Sequence, residues 1–210
     1  MVTRLDLYNQ AFGFLGPVRL TSLDENRPDR RELDAVYSKT KQAMLEQGIW
    51  FFALRTIEWQ ADLDVEPLFG LPYAYSFPTD YVRLRHISND QRQEIEDHTF
   101  KREGQYFYSE YQTLYLTYVS NDDAFGGDLG KYTQLYADAF ACDMAERSSL
   151  PIMQDRGTKA DLQGTAVRLL AKAKKVEAVD ERVKFKPISS FVASRNTVRR
   201  RSNDQRRENP

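Results

Sequence analysis

The sequence predicts an α+β fold: a helical bundle of about four helices with an inserted antiparallel β unit and an extended C-terminal arm. Three observations carry that expectation. Apolar residues recur at helical spacing near both ends of the 210-residue chain. Between them, residues 50–120 hold short runs in which apolar and polar residues alternate, separated by turn signals. After Glu181 the periodicity stops and the composition becomes strongly basic. The organisation expected is therefore a domain over 1–181 and a basic arm over 182–210.

The first helix is expected over 4–14. Leu5, Tyr8 and Phe12 share one face, and Gly13, Gly16 and Pro17 close it. A polar loop leads to Pro28. Asp29 and Glu32 have the spacing of a capping box, which opens a second helix over 30–48 with an apolar stripe of Leu33, Val36, Tyr37, Met44 and Leu45. Gly48-Ile49-Trp50-Phe51-Phe52-Ala53-Leu54 leads into Arg55–Gln60, whose alternation predicts a half-buried strand. Further strands are expected at Tyr73–Phe77, Tyr81–Ile87, Gln93–Glu96, Thr99–Arg102, Gln105–Tyr108 and Thr113–Val119. Pro78-Thr79-Asp80, Ser88-Asn89-Asp90 and Glu103-Gly104 supply turns between them. Gly126-Gly127-Asp128 then returns the chain to helix. A third helix is expected over 129–149, with Leu129, Tyr132, Leu135, Tyr136, Ala139, Phe140 and Met144 on its apolar face. A fourth is expected over 158–178, with Leu162, Ala166, Leu169, Leu170, Ala173 and Val176 inward and basic residues outward.

Charge divides the chain. Residues 182–210 carry nine Arg and Lys against two Asp and Glu, a net +7, whereas residues 1–181 carry 21 against 29, a net −8. The overall −1 thus hides an acidic body with a basic tail. Aromatic residues are plentiful, with 12 Tyr, 12 Phe and 2 Trp, a load that suits interfaces as well as cores. A single cysteine, Cys142, excludes an internal disulfide framework and, in its helical setting, reads as a small buried residue. Residues Met1–Asp6 lack the pattern of a secretory leader, and no apolar run approaches the roughly 18 residues that span a bilayer, so no membrane association is expected.

Catalytic and cofactor chemistry find little purchase. The two histidines, His86 and His98, have no nearby cysteine, while a zinc or iron site needs three or four ligands. Gly126-Gly127-Asp128-Leu129-Gly130 superficially resembles a phosphate-binding loop, but it lacks the Lys-Ser/Thr ending and the dinucleotide glycine spacing. It reads as a connection capped by Asp128. Asp122-Asp123 and the Glu94, Glu96, Asp97 group would serve a glycosidase only at a set separation across a cleft. The expectation is no catalytic residue, no metal ligand and no cofactor. The tail offers more. Phe185, Pro187, Ile188 and Phe191 are apolar anchors ahead of Arg195 and the cluster Arg199, Arg200, Arg201. Such a segment can order by burying its anchors on another chain while its guanidinium groups meet carboxylates or phosphates. An unattached solubilising tail is the plainer alternative.

Several motifs carry a family resemblance. Leu7-Tyr8-Asn9-Gln10-Ala11-Phe12-Gly13-Phe14-Leu15-Gly16, the Trp50-Phe51-Phe52 segment after the second helix, Phe77-Pro78-Thr79-Asp80-Tyr81-Val82, and Gly104-Gln105-Tyr106-Phe107-Tyr108 occur in an order and spacing that resembles the tail tubular protein A family. Those proteins are the head-to-tail adaptors of short-tailed phages. Ser109 stands where that family usually has aspartate, and the basic tail is longer. The resemblance spans about residues 5–150. It implies a non-enzymatic virion protein, made in the host bacterial cytoplasm, that forms a homo-oligomeric ring of twelve subunits between the portal protein and a tail or nozzle protein. Double-stranded DNA would pass through the ring without specific binding. It also implies that Phe185, Pro187, Ile188, Phe191, Arg195, Arg199, Arg200 and Arg201 contact the portal. The residues alone leave two rivals open: a DNA-binding module using the basic tail, and a virion peptidoglycan hydrolase.

Overall fold

A computed structural model describes residues 1–65, 67, 70–93 and 99–180. Met1–Ala178 form one compact unit, and of the second, Val179–Pro210, only the first two residues are described. The described residues form α1 (Arg4–Leu15), α2 (Pro28–Gln47), β1 (Leu54–Gln60), β2 (Tyr73–Ser76), β3 (Tyr81–Ser88), β4 (Lys101–Glu103), β5 (Tyr106–Ser109), β6 (Thr113–Ser120), α3 (Gln134–Met153) and α4 (Arg156–Asp180). The α+β class and the placement of the β unit between helix pairs follow the expectation.

The helix boundaries are set by capping chemistry. Thr3 opens α1 through a capping box: its hydroxyl accepts from the Asp6 amide at 3.2 Å, and the Asp6 carboxylate accepts from the Thr3 amide at 2.9 Å. Gly16 closes it at φ +90°, a left-handed conformation that glycine adopts without steric cost. The expected capping box at Asp29 and Glu32 does not form. Pro28 begins α2 instead, since its ring already holds a helical φ and the first helical position needs no amide proton. Arg27 occupies the cap position without a side-chain cap bond, and Asp29 sits in the first turn, bonded to the Arg27 guanidinium.

The third helix, unlike the second, starts later than expected. Leu129–Lys131 make a short 3₁₀ turn capped by Asp128, whose carboxylate accepts from the Gly130 amide at 2.9 Å. Thr133, extended, then caps α3 by accepting from the Tyr136 amide. At the other end α3 runs past Pro151, which removes one amide donor in the last turn, and stops at Gln154 with φ +56°. Gln93 adopts φ +55°, so it forms a turn rather than the start of a strand. The rest of that expected strand, Glu94–Glu96, lies outside the described residues.

The strands form two three-stranded antiparallel sheets, ordered β1-β6-β3 and β2-β5-β4. In the first, Leu54 faces Val119 and Trp59 faces Leu114. The expected antiparallel β unit is thus split. Its inward residues form a core of their own, with Trp59, Tyr75, Ile87, Phe107, Leu114, Leu116 and Tyr118 buried together. A second, larger core lies among the helices, where Leu7, Tyr8, Phe12, Leu33, Met44, Trp50, Tyr136 and Phe140 are each 1% exposed or less. Most of the aromatic surplus is spent on these interiors.

Trp50 is the residue where helices and strands meet. It is fully buried, its Nε1–H donates to the Met44 carbonyl at 2.9 Å, and its ring packs edge-on against Tyr136 with centroids 4.6 Å apart. Gly48 makes room for it: a Cβ there would lie 2.6 Å from the indole. Gly48→Ala is therefore expected to destabilise the fold by about 1–3 kcal/mol through overpacking, read as a lower urea midpoint. The thiol of Cys142, fully buried with its pKa pushed up to about 11 by burial, is expected to resist a disulfide-exchange reagent in the folded chain. One thiol equivalent should appear when the chain is unfolded.

Candidate partner-binding surfaces

The predicted contact residues Phe185, Pro187, Ile188, Phe191, Arg195, Arg199, Arg200 and Arg201 all lie outside the described residues, as does His98. His86 lies on β3, 6% exposed, in the register position opposite Thr117. Among the described residues no group of three or more His, Cys, Asp and Glu side chains is arranged to hold a metal ion, and no helix is long and apolar enough to cross a membrane. The glycine-rich connection is built for packing. Added side-chain carbon at Gly126 would collide with the Ser120 carbonyl, and at Gly127 with the backbone of Asp123.

The Phe77–Val82 segment, which carries part of the family resemblance, forms a polar knot around Asp80. Its carboxylate accepts from Arg55 Nη1 at 3.0 Å, from Tyr118 Oη at 3.0 Å and from Ser120 Oγ at 2.5 Å. The turn is closed by Tyr81 N–H donating to Pro78 O, while Asn121 N–H donates to the Asp80 carbonyl. Burial pushes the Asp80 carboxyl up, but the hydrogen bonds from Ser120, Tyr118 and Arg55 outweigh it and hold the pKa below its ordinary value. Burial also raises the Tyr118 phenol, and the neighbouring carboxylate raises it further. Among the described residues the partners of the Asp80 carboxylate come from β1 and β6, so this group joins those strands to the start of β3. A second knot binds α1 to α2. The Asp34 carboxylate accepts from Arg4, Arg30 and the Tyr8 hydroxyl at 2.8, 2.8 and 2.6 Å.

An outward face of α4 carries charges that form no ion pair among the described residues. Asp155 caps this helix by accepting from the Gly157 and Thr158 amides at 3.0 and 2.9 Å. It runs 25 residues, about 37 Å at 1.5 Å per residue. Only four of its described side chains are buried: Leu162, Ala166, Ala173 and Glu177. Three contacts seat it. Cys142 Sγ donates to the Leu162 carbonyl at 3.7 Å, Lys159 pairs with Glu146 at 3.5 Å, and Glu177 Oε2 accepts from the Phe51 amide at 3.1 Å. The inward stripe expected from the sequence is narrower than its apolar pattern. Val176 is 47% exposed, and the next position, Glu177, turns in because the Phe51 amide needs an acceptor.

On the outward side, Ala160, Gly164, Val167, Ala171 and Ala178 recur at spacings of four, three, four and seven, which places them along one face. All five are exposed, Val167 at 63%. Flanking them, Arg168, Lys172 and Lys175 are exposed, and no carboxylate among the described residues forms an ion pair with any of the three.

Opposite in sign is the far end of the β unit. Ala61 N–H donates to Gln112 O, which brings the end of β1 beside the turn before β6. Glu58, Asp62, Asp64 and Glu110 lie on the segments that this bond brings together, and no lysine or arginine among the described residues forms an ion pair with them. Neither surface was apparent from the sequence, because a run of helical cations reads as an ordinary solvated face until its partners are counted. The four carboxylates stand apart in the chain until β1 and β6 pair.

No protein-family model matches the chain, and no curated protein matches it in sequence.

Asp80→Asn removes the charge that Arg55 and two hydroxyls face. The expected cost is about 2 kcal/mol, in the range for hydrogen bonds to a charged group, measured by urea unfolding at neutral pH. Because the carboxyl is held below its ordinary value, its stabilisation is complete above about pH 4, near the unfolded value, and is lost as pH falls through the folded one. The variant is expected to show a shallower loss of stability between neutral pH and about pH 3.

Proposed function

We propose that this chain is a virion structural protein, a ring-forming head-to-tail adaptor of a tailed phage that docks on the portal and joins it to the tail. In this reading it contributes part of the DNA ejection channel and catalyses nothing. The observation that carries it is the ordered set of motifs from Leu7 to Tyr108, which resembles the tail tubular protein A family. Support of a different kind comes from the charge division between an acidic body and the basic residues 182–210.

Mechanistically, the adaptor is a coupler. A closed ring lets modest contacts between neighbours add around the assembly. The apolar residues Phe185, Ile188 and Phe191 supply desolvated anchors on the portal. Arg195, Arg199, Arg200 and Arg201 supply charge-assisted, bidentate contacts to portal carboxylates. A negatively charged body suits a channel wall along which DNA must slide, since like charge keeps phosphates from adhering. A second reading, duplex DNA binding, is favoured by the clusters Arg199-Arg200-Arg201 and Arg206-Arg207.

Co-purification with the portal ring tests the proposal, comparing the full chain with one ending at Glu181. Full-length protein is expected to be retained on the portal and the truncated chain lost. Equal retention overturns the assignment of the arm, and failure of the full chain to bind a portal ring overturns the adaptor reading. The DNA-binding reading instead requires duplex affinity that falls steeply with salt and disappears with the arm.

A further inference from the structure

We infer that the outward face of α4 is an interface for a second copy of this chain, which presents to it the acidic end of its β unit. The inference rests on the ring reading above and names the surfaces that would close such a ring. Its starting point is the imbalance of α4. Most of a helix's stability in a folded protein comes from packing one face, yet four of the described side chains of this 25-residue helix are buried. Val167 and Val176 remain 63% and 47% exposed on a helix that continues to Asp180.

Charge selects the occupant. Residues 156–180 carry six basic and three acidic residues, a net +3, whereas residues 1–155 carry 15 against 25, a net −10. The cations Arg168, Lys172 and Lys175 have no acidic neighbour in ion-pair range among the described residues, and the carboxylates of Glu58, Asp62, Asp64 and Glu110 have no basic one. Within one chain, no ion pair among the described residues joins the two surfaces. Glu177 fixes the C-terminal part of α4 to Phe51, just before β1, and β1 then carries the chain about 20 Å, six steps of roughly 3.3 Å, toward the acidic end. Two copies can join them, the cationic helix of one against the carboxylates of the next. The contact is heterologous, so each copy keeps one free surface of each kind, which is what a closed ring consumes. The small side chains at Ala160, Gly164 and Ala171 suit close approach, and a Cβ at Gly164 would meet nothing within 4 Å in the single chain.

The test uses the full chain and sedimentation velocity. Self-association is expected at about 50 mM salt and should weaken by about tenfold or more near 500 mM, where exposed charges are largely screened. Two triple variants reverse the charges on the two surfaces: R168E/K172E/K175E on α4, and D62K/D64K/E110K on the β unit. All six positions are solvent-facing or half-buried, and far-UV circular dichroism checks that each variant keeps its fold. Each variant alone is expected to associate at least about tenfold more weakly than the parent chain. An equimolar mixture of the two should recover association, because each supplies the surface that the other lacks.

The inference is overturned if the parent chain stays monomeric at low salt, if either variant associates as tightly as the parent, or if the mixture recovers nothing. It is overturned as well if a chain ending at Asp180 associates when the full chain does not, which would make the chain's own C-terminal segment the occupant of α4. Portal co-purification of the two variants separates this inference from the adaptor reading. Retained portal binding by a chain that does not self-associate removes only the interface assigned here.

Discussion

The packing of one indole holds the two halves of the molecule in register. Trp50 leaves the end of α2, turns back to bond the Met44 carbonyl, and meets Tyr136 of α3 edge-on while Phe52 stacks beside it. Because the ring fills the space above Gly48, the chain is steered into the 3₁₀ turn at Phe51–Ala53 and from there into β1. The position of β1 then fixes β6 by direct pairing and β3 through β6. Asp80 secures the arrangement from the other side by gathering Arg55 of β1 with Tyr118 and Ser120 of β6. An apolar lock and a charged one thus act on the same junction.

Much of this was legible in the sequence, for identifiable reasons. The helices of the bundle announce themselves by apolar residues such as Leu33, Met44, Tyr136 and Phe140, which the structure buries. Strands β1 and β6 announce themselves by alternation, and their partners by turn residues. Boundaries were less legible where two signals compete. Asp29 and Glu32 have the right spacing for a cap, but Pro28 prevails because a pre-set φ starts the helix earlier. Leu129 belongs to the apolar pattern of α3, yet the extended Thr133 begins the helix proper.

The candidate surfaces divide along the same line. The arm residues Phe185 to Arg201 were visible as a change of composition, which needs no tertiary information. The acidic end of the β unit was not, because the segments carrying Glu58, Asp62 and Glu110 come to one end of the β unit only when β1 and β6 pair. The open face of α4 was half visible. Six apolar positions were assigned inward from periodicity alone, but the helix is seated along a line through Leu162, Ala166, Ala173 and Glu177, which leaves Val176 of those six facing out. A buried glutamate in place of a valine has no sequence signature, since it answers to the Phe51 amide 126 positions away.

The two separate cores have a mechanical corollary. Strands β1 and β6 serve both: Leu54 and Val119 pack with the helical core, while Trp59, Leu114 and Leu116 pack with that of the sheets. Strand β3 adds a third connection, since Val82 packs on the helical core and Arg83 donates to the Glu46 carbonyl of α2, so a load applied to the sheets would reach the bundle along three strands and not through a single hinge.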